Sequence, residues 1–358
     1  MKVCIIGNGL IALTLAKALV NKGIYVDIIP NEKQKKHDKN RTLGISKSNI
    51  DFFNKEIHNI DKIQWKINKI KIFAEGYLKD EILNFSNSKK TLFSIFKNNQ
   101  LYKILDKSLR QNKLFKYRKK LVYKKLIKQN YKLILNSDFS NELTKKFFFK
   151  HINKEYKSLA HTTIIEHKKK IDNDTAIQIF SKKGPIAFLP ISNTKTSVVC
   201  SLRGTHDEVY VKNLIKKLNP KYEIIKISEI SKYKLYASNL RKYYKDNILA
   251  FGDLLHRVHP LAGQGFNMSL RDVRELIYLI EKRINLGLDI DNTICIDFQN
   301  KTKNKNFIFS EGIDLIYELF NFDSIVKKNY FLKSLSLINN NKLINNFIKK
   351  YADEGLRI

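Results

Sequence analysis

A chain of 358 residues is long enough for two domains, and 43% hydrophobic residues, with 17 Tyr and 22 Phe, are enough to fill a core, which excludes a disordered chain. The formal charge of +33 would draw polyanions, yet the lysines are spread along the chain, clustering only briefly at 33–36, 145–146 and 168–170. No nucleic-acid-binding signature accompanies them, so no specific nucleic-acid partner is expected. Cys4, Cys200 and Cys295 are too few and too scattered for a disulfide framework or a metal knuckle, which suits a reducing, cytoplasmic setting. No apolar run reaches the ~18 residues of a membrane span.

The first element is a short buried strand, Lys2-Val3-Cys4-Ile5-Ile6. Gly7-Asn8-Gly9-Leu10-Ile11-Ala12 follows and leads into a helix carrying Ala16, Leu19 and Val20. Between a strand and a helix, the Gly7-x-Gly9-x-x-Ala12 spacing is a dinucleotide fingerprint: a tight turn, a close backbone approach to a diphosphate, and a small residue where helix meets strand. These glycines also interrupt the apolar run, and no small-residue cleavage site follows, against a secretory leader. The next strand, Ile24 to Ile29, should end in an acid for the adenosine ribose. Pro30 stands there, so that contact falls to Glu32 or to Asn31.

Arg41-Thr42-Leu43-Gly44-Ile45-Ser46 reads as part of a loop and helix. Alternating apolar residues between Trp65 and Phe85 predict strands of an antiparallel sheet. An amphipathic segment follows at Leu101 to Leu109, then a strand at Leu133-Ile134-Leu135. Further strands are predicted at Thr162 to Ile165, Ala176 to Phe180, Ile186 to Leu189 and Ser197 to Leu202. Ile248-Leu249-Ala250-Phe251 is a buried parallel-strand run returning to the first sheet, and from Met268 the chain reads as helical. The predicted organisation is a dinucleotide domain interrupted by a β-sheet domain, then closed by a late strand, a helix and a helical tail.

Gly252-Asp253-Leu254-Leu255-His256-Arg257-Val258-His259-Pro260-Leu261-Ala262-Gly263-Gln264-Gly265-Phe266-Asn267 is the most informative stretch. Its glycines bend the backbone just before a helix, whose first N–H groups and positive dipole end suit an anion. Gly252-Asp253-x-x-His256-x-x-His259-Pro260-x-x-Gly263-Gln264-Gly265-x-Asn267, combined with Gly7-x-Gly9-x-x-Ala12, resembles the group A FAD-dependent aromatic hydroxylases, most of all the ubiquinone-biosynthesis hydroxylases. Arg41-Thr42-x-Gly44-Ile45-Ser46, Tyr156-x-Ser158-Leu159-Ala160-His161-Thr162-Thr163, Gly184-Pro185-Ile186-Ala187-Phe188-Leu189-Pro190 and Arg271-Asp272 keep the order and spacing of that subfamily. The chain departs from it at Leu254-Leu255, where small residues are usual, at Pro30, and at Phe139, which replaces the glycine of a mid-chain Asp-Gly pair.

The resemblance implies an α/β fold of the para-hydroxybenzoate hydroxylase type. Its parts would be a Rossmann-like FAD-binding domain (1–65, 95–150 and 245–300), an inserted antiparallel β-sheet substrate domain (66–94 and 151–244) and a helical C-terminal tail (301–358). It implies a monooxygenase that reduces FAD with NAD(P)H or another donor, and hydroxylates a polyprenylated phenol or quinone precursor of ubiquinone with O2 through a flavin C4a-hydroperoxide. Gly7, Gly9, Ala12, Glu32, Arg41, Gly252, Asp253, Gly263, Gln264, Gly265 and Asn267 would hold the cofactor. Pro260, Gly263 and Gln264 would stand at the reacting ring. Asp253 would accept from the ribityl hydroxyls, its bland alternative being a helix N-cap. Arg41 would touch the ribityl chain or ring edge, or else be a solvated loop residue. His256 and His259 are expected to orient or pack. The C-terminal helices would either dock on an anionic inner-membrane surface beside other ubiquinone-biosynthesis proteins or pack on the first domain. The competing reading, prompted by Pro30 and Phe139, is a flavin-poor scaffold subunit of the same pathway.

Overall fold

In the computed structural model of the protein, the described residues are 1–31, 40–75, 81–86, 91–119, 126, 129–219, 221–326 and 342–355. Glu32, the lysine cluster at 33–36 and residues 327–341 of the C-terminal tail lie outside that set. The first half of the chain comprises β1 (Lys2–Ile6), α1 (Leu10–Asn21), β2 (Tyr25–Ile29), β3 (Thr42–Ser46), α2 (Lys47–Glu56), β4 (Trp65–Ile67), β5 (Lys69–Ala74), β6 (Leu83–Ser86), β7 (Phe93–Lys97), α3 (Asn98–Arg110), β8 (Phe115–Tyr117), β9 (Leu133–Asn136) and α4 (Glu142–Phe147). A run of strands follows: β10 (His151–His167), β11 (Thr175–Ser181), β12 (Gly184–Pro190) and β13 (Lys195–Arg203). After α5 (Glu208–Lys217) come β14 (Ile224–Ile227), β15 (Ser231–Leu240), β16 (Tyr244–Lys245), β17 (Ile248–Ala250) and β18 (His256–Arg257), then α6 (Gln264–Asn285), α7 (Thr293–Val326) and α8 (Lys342–Glu354).

Three sheets result. The first has six strands in the order β16-β17-β9-β1-β2-β8, parallel throughout except for the β16–β17 pair. Val3, Cys4, Ile5 and Ile6 are all buried, as a parallel strand covered on both faces demands. The second has nine strands, β18-β15-β10-β13-β12-β11-β5-β6 with β14 beside β10. One face, carrying Ile165, Ile177, Ile179, Ile186, Phe188, Val198 and Cys200, packs on α5 through Val211, Leu214 and Ile215. Each large apolar side chain buried there contributes roughly 1.5–3 kcal/mol. The third is the small antiparallel sheet β3-β7-β4.

The α/β fold, the late return of residues 248–250 to the first sheet and the helical C-terminal region agree with the sequence. Several details differ. Residues 42–46 form a strand, because their backbone groups pair with β7. Trp65 belongs to the three-stranded sheet rather than to the large one. The large sheet is antiparallel except at β5–β11: Asn68 N–H donates to Asp174 C=O (3.0 Å), so both strands start from the same end. Helix α6 begins four residues before Met268, at Gln264. Helix α5 is unanticipated, although Asp207, whose carboxylate accepts from Tyr210 N–H at 2.7 Å, caps a run with Val211, Leu214 and Ile215 at helical spacing.

All three cysteines are buried, and burial pushes each thiol up to about 12. Since the thiolate is the reactive form, the folded protein should not react with a disulfide reagent at pH 8, whereas the urea-unfolded chain should release three equivalents. Prompt reaction of the folded protein would show that the sheet cores are arranged otherwise.

Candidate functional site

Strands β2, β1, β9 and β17 are neighbours and run parallel, so their carboxyl ends open on one edge. On that edge sit Gly7, Asn31, Asp138 and Gly252. The chain leaves β1 toward β2 on one side while β9 lies on the other, and such a switch point is where open α/β sheets bind ligands. Gly7 N–H donates to Ile29 C=O (2.9 Å), and Asn31 N–H donates to the Asn8 side-chain oxygen (3.1 Å). The Asn31 amide donates to Asp138 Oδ1 at 3.0 Å, bridging the ends of β2 and β9. Helix α1 starts at Gly9 with no side-chain cap, and fully buried Ala12 lets it lie close to the sheet. Gly252 holds φ +65°, and a Cβ on it would come within 2.7 Å of Ile11 Cγ2, so this glycine abuts the first turn of α1. Asp253 follows in a 3-10 turn, Gly252–Leu254, with its carboxylate open to solvent.

The second half of the motif builds a matching turn. Pro260 precedes the 3-10 segment Leu261–Gly263, and Gly263, at φ +64°, starts α6 without a side-chain cap. A Cβ on Gly263 would stand 3.5 Å from Gly44 N. The Asn267 amide donates to Gly44 C=O (2.8 Å), while its oxygen accepts from Ser46 N–H (2.9 Å). Gln264 is buried, with Oε1 lacking a partner, and a Cβ on Gly265 would meet only Val258 Cγ2, at 3.9 Å. Arg41 is exposed and leads into β3, its C=O accepting from Asn98 N–H (3.0 Å).

Gly7, Gly9, Ala12, Gly252 and Asp253 therefore lie together at the parallel-sheet edge. Pro260, Gly263, Gln264, Gly265 and Asn267 gather against β3, and the stretch between them runs through β18. These features suit a flavin nucleotide: two helix starts capped by glycine alone, and an unpaired buried amide oxygen on the second.

The histidines are placed by neighbours that sequence spacing does not reveal. His256 Nε2 lies 2.6 Å from Asp272 Oδ2, and both side chains are buried. His259 is fully buried, stacked on Tyr317 (ring centroids 4.2 Å apart) and edge-on to Tyr156 (4.9 Å). Neither of its ring nitrogens has a hydrogen-bond partner, and burial lowers its pKa from 6.5 to about 3. Tyr156 donates to Asp314, whose carboxyl is raised by burial. Arg257 was also missed; its guanidinium lies 3.8 Å from the Phe139 ring centroid and 4.8 Å from that of Tyr236.

The other face of the large sheet looks toward this turn. Strand register sets Ala160 opposite Ser201, Thr162 opposite Val199, and Ala187 opposite Val199. Ser197, on the same face, shares a 2.8 Å hydrogen bond with Thr42 of β3. Its middle is small and hydroxyl-bearing, and Gln178, Ala187 and Val199 are only half-buried although they sit on interior strands. Apolar clusters border it, one joining Leu189 to Ile67 and Ile95, another joining Leu235 and Leu261 to Tyr317. That face therefore presents little side-chain bulk beside Leu261 of the Pro260 turn.

Two outcomes follow. Neutral His259 is favoured over the charged ring, so its contribution to stability is complete above pH 6.5 and is lost as pH falls toward about 3. Between pH 6.5 and 4.5, His259→Phe should lose less stability than the parent by on the order of 2 kcal/mol in denaturant titrations; equal losses would contradict the burial of a neutral ring. Gly252→Ala, strained at positive φ and pressed on Ile11, should lower unfolding free energy by ~1–3 kcal/mol.

The family described as FAD binding domain matches residues 154–285. The mitochondrial ubiquinone biosynthesis monooxygenase COQ6 of Dictyostelium discoideum is 26% identical over 270 residues, covering 61% of this chain and 54% of that protein. The Saccharomyces cerevisiae counterpart is 32% identical over 99 residues, 27% of this chain and 21% of that one. The chain spans about half the length of the first curated relatives it matches. Among solved structures, Klebsiella pneumoniae HpxO complexed with FAD and uric acid superposes with a TM-score of 0.73 at 12% identity, covering 99% of this chain and 97% of that one. Pseudomonas aeruginosa PqsL, a probable FAD-dependent monooxygenase, gives 0.70 at 13% identity, covering 91% and 99%. By sequence the chain is similar to the FAD binding domain family over residues 154–285 and, more widely, to the ubiquinone biosynthesis monooxygenases, and it shares the fold of a probable FAD-dependent monooxygenase over nine-tenths of its length.

Proposed function

We propose that this chain is an FAD-dependent monooxygenase that hydroxylates the aromatic ring of a polyprenylated phenol or quinone precursor in ubiquinone biosynthesis. The observation carrying the proposal is that one continuous stretch, residues 252–267, links the glycine-started helix at the edge of the parallel sheet to a second glycine-started helix set against β3. Bound FAD would supply the oxygen-activating chemistry, with NAD(P)H or another donor and O2 as co-substrates. The chain's own residues position and shield. Gly7, Gly9 and Ala12 would let the diphosphate approach α1, with Glu32 or Asn31 near the ribose. Asp253 would accept from the ribityl hydroxyls, and Arg41 would contact the same chain. N–H groups of Gly263, Gln264 and Gly265 would stabilise negative charge on the reduced ring, and Asn267 would hold that turn in place. Pro260 would face the substrate from one side and the small residues Ala160, Ala187 and Ser197 of the sheet from the other, an arrangement that would exclude bulk water.

The domain division belongs to the same reading: residues 1–65, 95–150 and 245–300 would hold the cofactor, and 66–94 with 151–244 would supply the substrate-facing sheet. A polyprenyl substrate favours membrane contact. Among the described residues no helix is long and apolar enough to cross a membrane, but α7 exposes Phe307, Ile308, Leu315 and Ile316 on a strongly basic protein. Those residues suit peripheral docking on anionic lipid, beside the pathway's other proteins.

The test is the visible spectrum of the purified protein, before and after soaking with FAD and desalting. An oxidised-flavin spectrum should persist, and Asp253→Ala should weaken FAD binding about tenfold, the cost of a charge-assisted hydrogen bond. A colourless protein that cannot be reconstituted would favour the scaffold reading.

A further inference from the structure

Residue 139 stands where relatives of this kind carry glycine, yet Phe139 is not merely an obstruction. Its ring is the platform for Arg257, whose guanidinium lies 3.8 Å above the centroid, with Tyr236 on another side at 4.8 Å. Phe139 follows Asp138, and Asp138 is held to Asn31 at the end of β2 and lies against Gly7. Arg257 follows Asp253 by four residues, and its Nε is 3.9 Å from that carboxylate, beyond hydrogen-bond reach, so the buried Nε has no hydrogen-bond partner. Arg257 is anchored from behind by β18–β15 pairing, where it lies opposite Ser238. Burial, with a smaller contribution from the charge of Arg41, lowers the Arg257 pKa from 12.5 to about 10. A largely enclosed cation is thus held at the sheet edge with no hydrogen-bonded counter-charge on its Nε. Such a charge is costly alone and becomes favourable once a multiply charged anion enters.

We infer that Arg257, held between Phe139 and Tyr236, is the diphosphate-binding cation of the site. The inference rests on the FAD reading above, and the ligand chemistry is the diphosphate of a dinucleotide, either FAD or the nicotinamide donor. The aromatic clamp fixes the guanidinium plane, leaving the outer N–H groups as a ready fork for phosphate oxygens. It would offset the two places where the backbone frame departs from the usual pattern, Pro30 and Phe139.

The experiment titrates the full-length protein, as purified and as Arg257→Met, Arg257→Lys and Phe139→Leu, with FAD and separately with riboflavin, which lacks the diphosphate. FAD-loaded protein is then titrated with NADPH. Arg257→Met should bind FAD about tenfold more weakly, with riboflavin unchanged and part of the loss restored in Arg257→Lys. Phe139→Leu should lie between, because the cation remains but its platform is gone. A loss confined to NADPH would assign the cation to the nicotinamide donor's diphosphate. Unchanged affinity for both nucleotides in Arg257→Met, or an equal loss for riboflavin, would overturn the inference while leaving the FAD reading intact. Wild-type protein that binds no flavin at all would instead remove the reading on which it rests.

Discussion

The side chain of Asn267 is the constraint on which the site depends. Its amide donates to Gly44 C=O (2.8 Å) and Gly263 C=O (3.2 Å), and its oxygen accepts from Ser46 N–H (2.9 Å) and the Asn49 amide (2.9 Å). Both donors and both acceptor positions of a buried carboxamide are filled. Four bonds from one group join α6, β3 and α2, and they hold Gly263 in a left-handed conformation against Gly44. No isosteric residue does this: aspartate brings no donors, leucine leaves four partners unsatisfied. Because Ser46 and Ser48 also bond to Asp353 of α8, the C-terminal helix is tied to the same strand.

The large sheet divides its work between two faces. On one, branched and aromatic side chains pack on α5, and stability comes from apolar burial. On the other, Ala160, Ser197 and Ser201 carry little apolar surface, so that face depends on what surrounds it: Leu189 and Leu235 at its margins, and helices α7 and α8 beyond. Giving up packing in the middle of a sheet is tolerated where a ligand supplies the missing contacts. The same trade is visible at His259, whose ring nitrogens are unpaired while its faces are covered by Tyr156 and Tyr317.

Much of this was legible in the sequence, for identifiable reasons. The alternation of apolar residues set the strands, and Gly7, Gly9, Gly252 and Gly263 marked turns that the structure uses as helix starts and close approaches. What escaped notice was set by distant partners. Residues 42–46 look like loop until β7, some fifty residues later, pairs with them. Helix α5 hides among strands because its apolar spacing is short. Arg257 reads as one more arginine in a basic chain, and only the fold brings Phe139 and Tyr236 to its two sides. Glu32 lies outside the described residues, so its proposed ribose contact stays a reading of the sequence. Asp272 is a similar case: nothing in its spacing announces that it meets His256, since one sits on a helix and the other on an edge strand.

The central claim is that residues 7–12 and 252–267, far apart in the chain, are one nucleotide-binding surface. Amide hydrogen exchange with and without saturating FAD tests it most directly, because protection reports which backbone the ligand orders. Slowed exchange in both segments together, with α5 and its sheet face unchanged, is the predicted result. Protection confined to one segment, or located elsewhere, would contradict the account.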